Sequence, residues 1–184
     1  MTRAITVFVV FQCCVIQQVY SGEIKTATVQ YRNGTYTISF KARIAASQAD
    51  VYRIVTDYNR LDRLNDIIVT SALLTKPGVS PAKRQIKLHV CILFYCQQGT
   101  LVETVTEYNM DTILAIIIPA ESDIDFGESR WQIISLGAQA TQLSLTSQVR
   151  LGFWLPPVIG PWLIEKKMIR ELSIIVDRLE LLAN

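Results

Sequence analysis

From Tyr36 the chain alternates apolar and polar residues. Tyr36, Ile38, Phe40, Ala42 and Ile44 fall on one face, with Thr35, Thr37, Ser39, Lys41 and Arg43 on the other, the signature of a half-buried strand. The period changes at Ser47. Ser47-Gln48-Ala49-Asp50 outlines a capping box with Asp at the third helical position, and Val51, Ile54 and Val55 follow at helical spacing. A second short helix is predicted over residues 58–64, stopped by Asn65-Asp66, and residues 67–75 return to strand character up to the Pro77-Gly78 turn. Five more strands are predicted at residues 82–96, 98–109, 112–119, 128–136 and 140–151. Residues 109–111, 121–127 and 137–138 connect the later ones and are short enough for hairpins, so the run reads as an antiparallel meander. In the last strand Leu143, Leu145, Val149 and Leu151 oppose Gln142, Ser144, Thr146, Gln148 and Arg150, giving one dry face and one wet face.

The C-terminal stretch has a different period. After Pro156-Pro157-Val158-Ile159-Gly160-Pro161, the residues Met168, Leu172, Ile175, Leu179 and Leu182 recur at steps of four and three, while Lys166, Lys167, Arg170, Asp177 and Arg178 fall away from that stripe. About 22 helical residues make a rod of roughly 33 Å, long enough to lie across a whole sheet. The predicted order is therefore strand, two helices, six strands and a long C-terminal helix. The fold class is α+β, a curved antiparallel sheet of about seven strands whose dry face is covered chiefly by the last helix.

Composition adds constraints. Of 184 residues, 50% are hydrophobic and 18% charged, which excludes an intrinsically disordered chain. The formal net charge of +2 offers no basic footprint, so nucleic acid is not an expected partner. Part of the apolar content sits at the N-terminus. Arg3 precedes an apolar run from Ala4 to Ile16, and Val19 and Ser21 precede Gly22 in the manner of a cleavage site, so residues 1–21 read as a signal peptide and 22–184 as a single exported domain, periplasmic or secreted. A permanent anchor, or a lipoprotein signal ending at Cys13 or Cys14, is the alternative; the run is shorter than the roughly 20 residues a spanning helix takes.

Export bears on the cysteines that would remain, Cys91 and Cys96. An oxidising compartment favours one disulfide. If residues 91–96 form continuous strand, however, five steps of about 3.3 Å hold the ends about 16 Å apart, beyond the roughly 7 Å reach of a bridge. A disulfide requires a tight turn within residues 92–95; two free thiols are the other reading. His89 shares a strand face with Cys91, but two ligands without a second pair do not make a metal site, and no cofactor motif is present. Nothing in the sequence sets an oligomeric state.

The element order resembles the START-like, helix-grip superfamily, which includes polyketide cyclase/dehydrase, coenzyme Q-binding and lipid-transfer domains. The resemblance spans roughly Thr35 to Ala183. It rests on Ala49-Asp50-Val51-Tyr52, Val55-Thr56-Asp57-Tyr58-Asn59, Ser129-Arg130-Trp131, the Pro156-Pro157 to Gly160-Pro161 stretch and Arg178-Leu179-Glu180. It implies a cavity between sheet and long helix that takes an apolar or amphipathic small molecule, such as a lipid, quinone or polyketide-like compound. Alternation and the helix stripe nominate Phe40, Leu88, Val90, Ile116, Trp131, Leu145, Met168, Leu172 and Ile175 as its lining. Trp154 and Trp162 flank the proline-stiffened stretch, where they would gate the cavity, touch a membrane surface or simply close the core.

An enzyme acting on a similar ligand would draw on Asp57, Arg84, His89, Glu103, Glu107, Asp123, Asp125, Glu128 and Arg130. The chain has no Ser/His/Asp order, nucleophile elbow, HExxH motif or phosphate-binding glycine loop, and it has one histidine. Glu103 and Glu107 lie four apart on a predicted strand, about 13 Å, too far for a paired-carboxylate site. No catalytic residue is assigned. Asn33-Gly34-Thr35 matches a glycosylation sequon. A non-enzymatic carrier is the leading expectation, with the enzyme and an interaction module with a filled core as alternatives.

Overall fold

A computed structural model describes residues 22–152 and 160–183. The elements are β1 (Glu23–Arg32), β2 (Thr35–Ile44), α1 (Gln48–Val55), a 3₁₀ turn (Leu61–Leu64), β3 (Ile68–Leu73), β4 (Ala82–Ile92), β5 (Tyr95–Tyr108), β6 (Thr112–Ile117), β7 (Ile124–Gly137), β8 (Ala140–Leu151) and α2 (Pro161–Ala183). All strands join one antiparallel sheet in the order β1-β2-β8-β7-β6-β5-β4-β3. This is the helix-grip architecture. The sheet has eight strands rather than about seven: the addition is β1, paired with β2 through the Asn33-Gly34 turn, where both residues have positive φ (51° and 82°). That two-residue turn matches the twist of the hairpin, and Asn-Gly suits its left-handed positions.

The inner face follows the predicted alternation. Tyr36, Ile38, Phe40, Ala42 and Ile44 are buried, as are Leu143 and Leu145 opposite them on β8. Helix α1 starts at the predicted cap: the Asp50 amide donates to Ser47 Oγ at 3.1 Å, and Val51 and Ile54 turn into the core. Helix α2 is 23 residues long, roughly 34 Å, and buries Ile164, Leu172, Val176 and Leu179 against the sheet.

Polar contacts fix the angle of α2. Near its C-terminal end the Glu180 carboxylate accepts from the backbone N–H of Gly22 (2.6 Å) and of Ala45 (2.5 Å), satisfying donors at the start of β1 and beyond the end of β2. Midway along, Asn65, 1% exposed, donates to the Glu171 carbonyl at 3.1 Å and accepts from the Ile67 amide at 3.0 Å. The helix is thus pinned at its middle and its end. Between these pins and its first turns it spans the sheet without filling the space beneath. Among the described residues, no helix is long and apolar enough to cross a membrane. Residues 1–21, the predicted signal, lie outside the described residues.

Candidate ligand cavity

The unfilled space is a cavity of about 370 Å³ under the N-terminal half of α2. Strand β4 supplies Ile86, Leu88, Val90 and Ile92, every second residue of an unbroken alternation. Across from them stand Leu101 on β5, Ile117 on β6, Ile124 on β7, Ile38 on β2, and Val149 and Leu151 on β8. The roof is Ile164, Met168, Leu172 and Ile175, spaced four, four and three along α2. The walls are almost wholly apolar. Polar groups stand at the margin and most are already engaged: Lys167 pairs with Glu171 at 2.5 Å, Tyr95 donates to Gln97 at 3.2 Å, and Asp123 accepts from the Thr100 amide at 2.7 Å. A site of this kind selects by shape and apolar area rather than by charge.

A comparison with curated protein sequences finds no relative at a significant level. The sequence profile of a family described as polyketide cyclase / dehydrase and lipid transport matches residues 35–180. The chain belongs to this family. Several solved structures share the fold. A START superfamily protein from Mycobacterium smegmatis is 23% identical, with a TM-score of 0.62 over 80% of this chain and 96% of that one. The Zhui aromatase/cyclase from Streptomyces sp. R1128 is 14% identical, with a TM-score of 0.60 over 79% and 92%. A STAR-related lipid transfer protein from Xanthomonas axonopodis is 13% identical, with a TM-score of 0.59 over 86% and 99%. Family and fold together are those of a START-like domain suited to hydrophobic ligands.

Within this START-like frame, Leu88, Val90, Met168, Leu172 and Ile175 line the cavity. Phe40 and Leu145 lie on the inner face but in the packed part of the core, 2% and 6% exposed, and Trp131 packs against that core beside Leu145. These three do not reach the cavity walls. Ile116 corrects the expected facing of β6: it is 42% exposed on the outer face, while Ile113, Ala115 and Ile117 point inward. The run from Ile113 to Ile118 is apolar throughout, so alternation could not choose its inner face. Trp162 is exposed at the first turn of α2, and Trp154 lies outside the described residues. Ile86, Ile92, Leu101 and Val149 complete the lining; each lies at an inward position of its strand's alternation beyond the expected set.

The structure decides between the two cysteine readings in favour of the disulfide, with the tight turn within residues 92–95 that it requires. The chain reverses at Leu93-Phe94, so Cys91 and Cys96 are facing partners across β4 and β5, 4.0 Å apart at Cα, and are joined by a disulfide. The separation of about 16 Å assumed a strand that does not continue.

The charged candidates form no convergent set in the cavity. Arg84 Nε donates to Glu103 Oε2 at 2.8 Å in a buried pair, and the guanidinium stands 5.0 Å from the Tyr58 ring centroid. Farther along β5, Glu107 accepts from Tyr58 Oη at 2.8 Å and from Tyr52 Oη. Burial, then the bond to Glu107, pushes the Tyr52 phenol up to about 12, and the same causes in the same order raise Tyr58 further. Both phenols keep their protons at neutral pH and serve as fixed donors. Asp57 is paired with Arg63 at 2.7 Å, and Asp125, Glu128 and Arg130 are exposed. His89 stands on the outer face of β4 beside the disulfide.

Proposed function

We propose that this protein is an exported carrier that holds a hydrophobic small molecule, a lipid, quinone or polyketide-like compound, between the sheet and α2. The observation that carries this reading is the apolar cavity of about 370 Å³ roofed by α2, a volume within the usual range for small-molecule sites. Covering some 300 Å² of apolar ligand surface is worth roughly 7 kcal/mol before association costs, enough for retention without a charged anchor. The disulfide and the apolar run in residues 1–21 support export, because such bonds persist in oxidising compartments. Titration with the uncharged fluorophore N-phenyl-1-naphthylamine tests the carrier: a saturable, one-to-one rise in emission is expected, and the absence of saturable binding by ligand-stripped protein overturns it.

Loading takes place at a lipid surface through the β4–β5 tip. Leu93 and Phe94 are 67% and 81% exposed there, immediately beyond Ile92 and Tyr95, which line the cavity. Ile164, two residues beyond exposed Trp162, lines the same cavity, so the apolar tip and the first turn of α2 both adjoin it. Bulky apolar and aromatic side chains in this arrangement favour the membrane interface. Phe94→Asp should cut co-flotation with phosphatidylcholine/phosphatidylglycerol vesicles at least about tenfold, since burying one aromatic side chain is worth about 1.5–3 kcal/mol. Equal flotation of wild type and variant would rule out the tip as the contact.

A further inference from the structure

We propose that the outer face of the β4–β5 hairpin is a second site, for a thiophilic divalent cation of the Zn²⁺ type, formed when Cys91 and Cys96 are reduced. His89 and Cys91 are two residues apart on β4 and therefore share a face, and that face is the outer one because Leu88, Val90 and Ile92 turn into the cavity. The hairpin supplies the third ligand. Cys96 lies directly opposite Cys91, and the ligand atoms of His89, Cys91 and Cys96 all fall within 4.8 Å of one another.

The distances suit the ion. With Zn–S of about 2.3 Å and Zn–N of about 2.0–2.1 Å, a tetrahedral centre holds its sulfur and nitrogen ligands roughly 3.5 Å apart and two sulfurs roughly 3.8 Å apart. His89 Nε2 and Cys91 Sγ are already 3.7 Å apart. The two sulfurs must separate and Cys96 must close on the His89 ring, all three ligand atoms lying within 4.8 Å of one another, and the two cysteines project from adjacent strands that the ladder keeps in register. His89 and Cys96 are exposed, so the ion enters from solvent and water takes the fourth position. The residue facing His89 across the ladder is Gln98, a neutral amide that brings no competing charge.

The bridged and metal-bound forms exclude each other. A dithiol reductant delivers two electrons and two protons to the disulfide and is itself oxidised to a disulfide. The ion then binds the two sulfurs as thiolates, displacing the two thiol protons into solvent, while neutral His89 contributes a lone pair. The hairpin thus has two closed states, a covalent bridge in an oxidising compartment and a metal bridge in a reducing one. This site faces away from the cavity and stands independently of the carrier reading.

The test uses the full chain reduced with a phosphine under anaerobic conditions and titrated with Co²⁺ as a spectroscopic probe. One equivalent should produce a thiolate-to-cobalt charge-transfer band and the visible bands of tetrahedral cobalt, both removed by Zn²⁺. The oxidised protein should show neither. His89→Ala, at an exposed position, should weaken Co²⁺ binding at least about tenfold, the loss seen when only a supporting partner of a metal ligand is removed. Cys91→Ser should abolish the charge-transfer band or leave only a weak one, with far-ultraviolet dichroism verifying its fold. Absence of a stoichiometric thiolate band in the reduced wild type, or equal affinity in His89→Ala, would overturn the assignment.

Discussion

Leu88→Glu is expected to weaken ligand uptake at least about 100-fold while leaving the protein folded. Leu88 lies mid-strand on β4 with its side chain on the cavity wall and is only partly buried, so an empty cavity can admit water to a carboxylate there at modest cost. A hydrophobic ligand removes that water. The carboxylate must then sit unpaired against apolar surface, at a cost of several kcal/mol even after relaxation. Since each 1.4 kcal/mol is tenfold in affinity, a penalty near 3 kcal/mol already gives the 100-fold loss. Ile116→Glu is the matched control: the same chemical change on the outer face of β6 should leave affinity for N-phenyl-1-naphthylamine within about twofold of wild type, as no cavity wall is altered. Equal affinity in Leu88→Glu and wild type would place the ligand elsewhere.

The second large effect concerns stability. Arg84→Met should destabilise the fold by about 3–5 kcal/mol, because it leaves Glu103 in a buried position without its partner. The double variant Arg84→Met/Glu103→Leu should recover most of that loss. The two side chains are 11% and 9% exposed, so their mutual attraction mainly offsets their own desolvation, and apolar replacements remove both terms together. Met also keeps some of the contact that the arginine makes with the Tyr58 ring. Urea unfolding of the wild type, both single variants and the double variant completes the cycle. Additive losses in the double variant would show that the pair is not coupled as its geometry requires.

Periodicity was enough to read most of this fold. The clean alternation of β2, the Ser47 cap and the stripe from Met168 to Leu182 each follow from a single local rule, and each appears where that rule places it. Strand β1 leaves no periodic trace because it is an edge strand with mostly exposed side chains, so its sequence lacks a dry face; its one strong signal is the Asn33-Gly34 turn, which coincides with the sequon. The turn at Leu93-Phe94 was invisible for the opposite reason. Neither residue is a turn former, Leu93 adopts φ of 56° without being glycine, and residues 91–96 look like uninterrupted strand. That turn closes the cysteine pair and brings His89 and both sulfurs together.

The cavity was legible in outline but not in detail. Leu88 and Val90 follow from the β4 alternation, and the helix contributors follow from the stripe. What alternation could not supply is where α2 stops touching the sheet. Phe40, Leu145 and Trp131 face the same way as the lining residues and yet fall where the sheet is packed, because the position of the gap depends on how α2 is pinned at Asn65 and Glu180. Such long-range contacts leave no periodic trace. Ile116 marks the other limit, a wholly apolar strand whose two faces are indistinguishable without their neighbours.

Native mass spectrometry of gently purified protein, followed by organic extraction of the same sample, tests the carrier most directly. The prediction is a population carrying a discrete nonpolar adduct, released on extraction, and absent or strongly reduced in Leu88→Glu but retained in Ile116→Glu. Protein that purifies only at its ligand-free mass, and that stays so after incubation with quinones, fatty acids and phospholipids, would contradict it.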